Sequence, residues 1–211
     1  MNTFTKLRKG LVNFANFSFI TLIGMLTGVI LILLSLYEFP DYNIYQHFVS
    51  ALGASPGVSG PLFNSGLIII GLSASYFFYN LGKHLKEENI RNKLRVTTIR
   101  IAVFSSISLI FVGIFPSLGK IIKILHGISA FSFFFSSMIY FTLLGYLMLK
   151  HKKFTRFQSY TAFGVAFMAG TLFFDWAPLL EWSFFWASIS WMFYNAFLLF
   201  IKRVKNIMPI N

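Results

Sequence analysis

FSFITLIGMLTGVILILLSLY, residues 17–37, runs for 21 residues without a single charge. A bilayer core about 30 Å thick is crossed by roughly 20 apolar residues in a helix. Lipid offers the backbone no hydrogen-bond partner, so a run of this length predicts a transmembrane helix. Glu38, Phe39 and Pro40 end it. A basic segment before an apolar run could also mark a cleaved signal peptide, but this run is longer than an h-region and no A-x-A site follows. The first span is therefore expected to be retained. Residues 1–16 (MNTFTKLRKGLVNFAN) then form a short basic amphipathic lead-in on the inner membrane surface.

Five further stretches meet the same demand, at about 62–82, 98–115, 124–149, 159–174 and 182–201. The expectation is an all-α, polytopic membrane protein, with six transmembrane helices in one bundle and 1–211 as a single domain. Composition points the same way. Of 211 residues, 56% are hydrophobic and 11% charged, where a soluble domain carries about a quarter charged. A soluble enzyme is excluded. The absence of cysteine removes a disulfide scaffold, a thiolate metal site and a covalently attached c-type haem.

The basic residues give the orientation. Lys6, Arg8 and Lys9 precede the first span. Lys83, Lys86, Arg91, Lys93, Arg95 and Arg100 lie between or beside the second and third. Lys150, Lys152, Lys153 and Arg156 join the fourth and fifth, and Lys202, Arg203 and Lys205 follow the sixth. Sixteen of the 18 basic residues thus fall on one side, with only Lys120 and Lys123 opposite. Short loops biased this way face the cytoplasm, so both termini are expected there. The net charge of +12 is then spread along anionic head groups, and no nucleic-acid partner is implied.

Helices in lipid associate through small residues and close packing. The expected inner faces are Thr21, Gly24, Gly28 and Ser35; Asn64, Gly71 and Ser75; His126, Ser129, Ala130 and Ser137; Ala162, Ala166 and Gly170; and Ser183, Ala187 and Ser190. The phenylalanines, Phe133, Phe134 and Phe135 among them, would cover the remainder. Such stripes build a packed bundle or line a channel. Trp176, Trp182 and Trp186, with Tyr37, Tyr42 and Tyr45, read as an interfacial aromatic belt, whereas Trp191 lies deeper. No Asp, Glu or Lys falls within a span, and no Gly/Pro breaks recur in two halves. Both absences disfavour an ion-coupled carrier.

The outer connections hold the residues that could carry chemistry. The first, residues 38–61, lacks Lys and Arg, and its Ile44, Phe48 and Leu52 suit a short helix lying in the head-group plane. His47, Ser50, His126 and Asp175 form the candidate catalytic set, as a serine with a histidine base and a carboxylate could attack an ester. Asp41, Asn64, Trp176 and Glu181 are candidate ligand-binding residues. No metal is expected, although His47, His126 and Asp175 could hold a divalent ion that activates water. The alternative is that these histidines hydrogen-bond at helix ends. A di-haem cytochrome would need paired imidazoles near both faces. His84 and His151 sit at lysine-rich loop edges, so no cofactor is expected.

Three elements carry a family resemblance. They are Val49-Ser50-Ala51-Leu52-Gly53-Ala54, then Phe63-Asn64-Ser65-Gly66-Leu67, and Gly113-Ile114-Phe115-Pro116 followed by His126-Gly127. Together they resemble a prokaryotic integral-membrane family catalogued as domain of unknown function 998. The family's usual acidic residue after the serine is Ala51 here, which puts any role of that carboxylate in doubt. The wider pattern is similar to eukaryotic DRAM-type membrane proteins, and this likeness implies a lipid-facing role for the outer loops.

Three functions follow from these readings. The first is a protein without chemistry of its own that binds or organises membrane lipids, or supports a partner membrane protein or self-association. The second is an interfacial lipid-modifying hydrolase or transferase using the outer cluster. The third is a facilitative transporter of a small neutral solute, along Asn64, Ser75, Ser190 and Asn195. The expected location is the plasma membrane of a prokaryote.

Overall fold

The computed structural model describes residues 17–86 and 91–207, so the lead-in expected at residues 1–16 lies outside the described residues. Six α-helices are present among them: α1 (Phe17–Tyr37), α2 (Ser59–His84), α3 (Asn92–Ile114), α4 (Lys120–Lys150), α5 (Arg156–Thr171) and α6 (Pro178–Ile207). A 3-10 helix, Val49–Ala54, stands between α1 and α2. Helices α1 to α4, together with α6 over Pro178–Val204, are long and apolar enough to cross a membrane. The chain is an all-helical, polytopic membrane protein. Helix α5 is shorter, at 16 residues.

Each helix packs against the next in sequence, and α6 returns to α1, closing a ring. The seams that α6 makes with α5 and α1 are much thinner than those joining α1 to α5 in series. A reciprocal backbone approach lies between α1 and α2. A Cβ built on Gly28 would stand 2.9 Å from the Gly66 carbonyl oxygen, and one on Gly66 would stand 2.9 Å from that of Gly28. Real Cβ atoms do not come this close, so both positions require glycine for the backbones to touch. Gly24 faces Ser73 on the same seam. The G-x-x-x-G of the first span therefore serves packing between α1 and α2.

Several polar groups pair across the helix seams. Ser35 and Ser59 share a hydroxyl hydrogen bond of 2.9 Å between α1 and α2, as do Ser105 and Ser137 between α3 and α4. The Arg95 guanidinium donates to the Gly82 carbonyl at the end of α2, where carbonyls lack helical partners. Helix α5 begins with a capping box: Thr155 accepts from the Gln158 N–H, and the Gln158 side chain accepts from the Thr155 N–H. Trp191, deep in α6, donates its indole N–H to the Gln158 carbonyl at 3.1 Å, and the Gln158 amide donates to Asn195 at 2.7 Å. That network accounts for the Trp191 depth and joins α5 to α6.

Two expected helix faces are corrected. The largest fully buried side chains include Phe63, Phe77, Phe78, Phe141 and Phe184, so phenylalanine fills the centre as well as covering the outside, where Phe135 and Phe167 are exposed while Phe134 is buried. A six-membered ring leaves too wide an axis for small residues to close, and aromatic rings supply the volume. On α6 the stripe Ser183, Ala187 and Ser190 does not face inward. Ser183 and Ala187 are partly exposed and Ser190 is exposed, while Phe184, Ser188, Trp191, Met192 and Asn195 are buried.

The Gly28–Gly66 contact generates a test. Gly66→Val should lower stability by about 1–3 kcal/mol, as overpacking does, and so lower the melting temperature in mild detergent. Gly127→Ala, where a Cβ meets open space, should leave it unchanged or raise it. An unchanged melting temperature for Gly66→Val would show that α1 and α2 do not meet at this point.

Candidate functional site

The first connection packs onto the end of the bundle. Leu52 is fully buried and Val49 is 4% exposed, so the 3-10 helix sits down on the bundle, while Ile44 remains exposed. Helix α2 holds it by packing and by the Asn64 amide on the Gly53 carbonyl, and α6 adds a carboxylate. The Glu181 carboxylate, itself 6% exposed, accepts the Val49 N–H at 2.8 Å, and the Ser50 N–H faces the same carboxylate. A carboxylate at the start of a helix satisfies N–H groups that have no helical acceptor. Here it comes from another element altogether.

A second tie lies beside the first. The Tyr42 hydroxyl donates to the carbonyls of Phe48 (2.7 Å) and His47 (3.0 Å), and accepts from the Trp182 indole N–H at 3.0 Å. Burial raises the Tyr42 pKa above its ordinary value. The Trp182 hydrogen bond opposes that shift and the Glu181 charge adds to it. The phenol therefore keeps its proton and continues to donate. Trp182 is buried and Tyr42 half-buried. These two residues are consequently a bolt between loop and helix, not part of the interfacial belt. Trp176, Tyr37 and Tyr45 are exposed.

The remaining candidates are distributed as follows. His47 accepts the Asn43 N–H on Nδ1 at 3.0 Å, closing a local turn. His126 is buried and bonds the Phe115 carbonyl through Nδ1 at 2.8 Å. A carbonyl only accepts, so Nδ1 carries the proton there. Asp41 and Asp175 are exposed. Trp176 packs edge-on against Phe134. The structure thus brings Ser50 to Glu181 and leaves both histidines committed elsewhere, with no hydrogen bond from either to Ser50. Among the described residues no three His, Cys, Asp or Glu side chains gather as a metal-holding group. His47, His126 and Asp175 are accordingly not assembled into one.

Asn64 joins the three quoted sequence elements. Its amide donates to the Gly53 carbonyl at 3.0 Å. A Cβ on Gly53 would stand 2.5 Å from the Asn64 Oδ1, and one on Gly113 would stand 2.8 Å from the Asn64 carbonyl oxygen. The LGA, FN-x-G and G-x-FP segments meet there because two glycines let the backbone come in. His126 completes the junction by satisfying the carbonyl that precedes Pro116.

Space is distributed unevenly. Inside the ring, a cavity of about 30 Å³ lies beside Ser50 and Glu181, and another of about 10 Å³ lies near Ser105, Ser106 and Ser188. Each has room for about one or two waters. On the outside, a groove of about 470 Å³ between α5 and α6 is lined by Phe157, Val165, Met168, Ala187, Trp191 and Tyr194. A second, of about 360 Å³ between α1 and α6, is lined by Met25, Leu26, Val29, Trp186, Phe193 and Phe197. The small residues of α6 that face outward are what leave the first groove open.

Residues 22–197 match a family model described as a protein of unknown function (DUF998). No curated protein and no solved structure matches the chain.

The ties from α6 are open to mutation. Glu181→Ala leaves buried loop N–H groups without an acceptor and should cost about 1–3 kcal/mol. Trp182→Phe removes the bond to Tyr42 and should cost about 1 kcal/mol. Asp175→Ala, at an exposed position, should stay within about 0.5 kcal/mol of the parent. Limited proteolysis within residues 38–58 reads the result directly, with faster cleavage expected in the first two variants only. Equal cleavage in all would show that α6 does not hold the loop.

Proposed function

We propose a function from the premise that the chain belongs to the DUF998 family: it is a lipid-binding or lipid-organising membrane protein without chemistry of its own at the outer loop. The observation that carries this reading is the pair of apolar grooves flanking α6. Each has the volume of a small-molecule site, yet each opens sideways from helices built to lie in lipid. Their linings are aliphatic and aromatic, which suits an acyl chain. The residues best suited to catalysis are instead occupied in holding the loop and the helix ends together.

In this reading the chain crosses the plasma membrane of a prokaryote six times, with both termini in the cytoplasm. Helix α5 spans roughly 24 Å at 1.5 Å per residue, and the apolar Leu172, Phe173 and Phe174 extend its run. The basic helix ends then face the inside. The two small interior cavities favour a packed protein over a solute path.

Mass spectrometry of the full chain released from gentle detergent tests the proposal. Co-purified phospholipid should remain bound to the parent protein. Gly164→Leu, placed in the α5–α6 groove where a Cβ meets open space, should reduce retention several-fold without lowering the melting temperature. His47→Ala, His126→Ala and Asp175→Ala should leave retention within about twofold. A parent protein that emerges bare, or lipid turnover that disappears with either histidine, would overturn this reading.

A further inference from the structure

The end of the ring opposite the outer loop holds a cavity of about 340 Å³ whose chemistry differs from that of the grooves. Phe17 and Ser18 from the start of α1, His84 from the end of α2, Lys153 from the turn before α5, and Lys202 and Arg203 from the end of α6 all line it. Three permanent cations and an imidazole therefore converge from three separate segments, and no carboxylate is among the described residues that line the space. The Lys202 ammonium donates to the Lys153 carbonyl at 3.0 Å, which fixes two of the basic segments side by side. Gathering like charges without a counter-charge is unfavourable unless an anion neutralises them.

A second observation is independent of charge. Ser18 is 1% exposed, and its hydroxyl has no hydrogen-bond partner. Buried hydroxyls are normally paired, as Thr21 is one turn on, donating to the Phe17 carbonyl at 2.8 Å; among the described residues the Ser75 hydroxyl is the other exception. Ser18 thus offers a spare donor at the wall of a basic cavity. Arginine, lysine and serine hydroxyl together are the donor set that recognises phosphate oxygens.

The position of the cavity decides between a free ion and a lipid. It lies where α1 and α6 meet at the basic end, and the apolar groove of Met25, Val29, Phe193 and Phe197 lies further along the same two helices. Phe19 and Phe200 stack across the same seam with ring centres 5.7 Å apart. A polar, basic pocket at one end and an apolar groove above it match the two halves of a phospholipid. We infer that the basic-end cavity of the α1–α6 seam binds the phosphate head group of an anionic glycerophospholipid whose acyl chain lies in the adjoining groove. This inference rests on the lipid-binding reading and narrows it to one seam and one lipid class.

The test uses the full chain in mild detergent, with phosphatidylglycerol, phosphatidylcholine or inorganic phosphate added before native mass spectrometry. The parent should retain one phosphatidylglycerol in preference to phosphatidylcholine. Lys202→Gln/Arg203→Gln should weaken that preference about tenfold, as removing two charges beside a head group would. Lys153→Gln should weaken it less. Lys120→Gln/Lys123→Gln, at the other end, should leave it intact. All these lysines and Arg203 are exposed, and an unchanged melting temperature confirms folding. Phosphate that binds alone and displaces phosphatidylglycerol would overturn the head-group assignment in favour of the free ion. Equal retention of both lipids, indifferent to the basic-end variants, would overturn the anion site while leaving the groove reading standing. Loss of all lipid would remove both.

Discussion

A polar group inside lipid must find its partner within the protein, and this requirement organises the molecule at every scale. Backbone groups satisfy it by forming helices. Side-chain hydroxyls satisfy it mostly by reaching back one turn, as Ser73 does to Ile69, Ser106 to Ala102 and Ser129 to Leu125. Few hydroxyls cross between helices, so specificity in the first three seams rests on shape. Gly28 against Gly66 is the clearest example, since neither backbone can be replaced at that distance by any residue bearing a Cβ.

Helix α6 departs from this scheme. It is held to α5 by a polar network, Gln158 with Asn195 and Trp191, and to the first connection by Glu181 and Trp182. Helix α6 is tied at its start and at mid-length but thinly packed on both flanks, and this leaves the grooves that the proposed reading fills with lipid. The same geometry explains why the grooves are apolar while both ends of the helix are polar.

The positions of the helices were legible in the sequence because apolar length alone determines them. Helix α1 covers the residues read from the opening stretch, and the other five begin and end within six residues of expectation. The glycine contact on α1 was also legible, since G-x-x-x-G has a local spacing. The radial arrangement was not. Small residues mark a close approach only where a neighbour faces them, and Ser190 faces none. Phenylalanine is equally at home in lipid or in the core, so Phe77 and Phe141 gave no local sign of their burial. The bolt formed by Tyr42, Glu181 and Trp182 was the least accessible feature. Its partners are 132 and 140 residues apart, and the aromatic members fit an interfacial belt equally well.

That separation has a consequence for how the molecule is made. The residues that fold the first connection, Glu181 and Trp182, are translated long after the connection itself. Until α6 emerges, the Val49 N–H has no carboxylate to bond and the Tyr42 hydroxyl lacks its indole donor. Without α6 the five preceding helices form an open arc whose first connection keeps only its ties to α2, from Asn64 to the Gly53 carbonyl and from Ser55 to Ser59. Helix α6 supplies these partners and the contact with α1 together, so closing the ring and anchoring the first connection depend on the same helix.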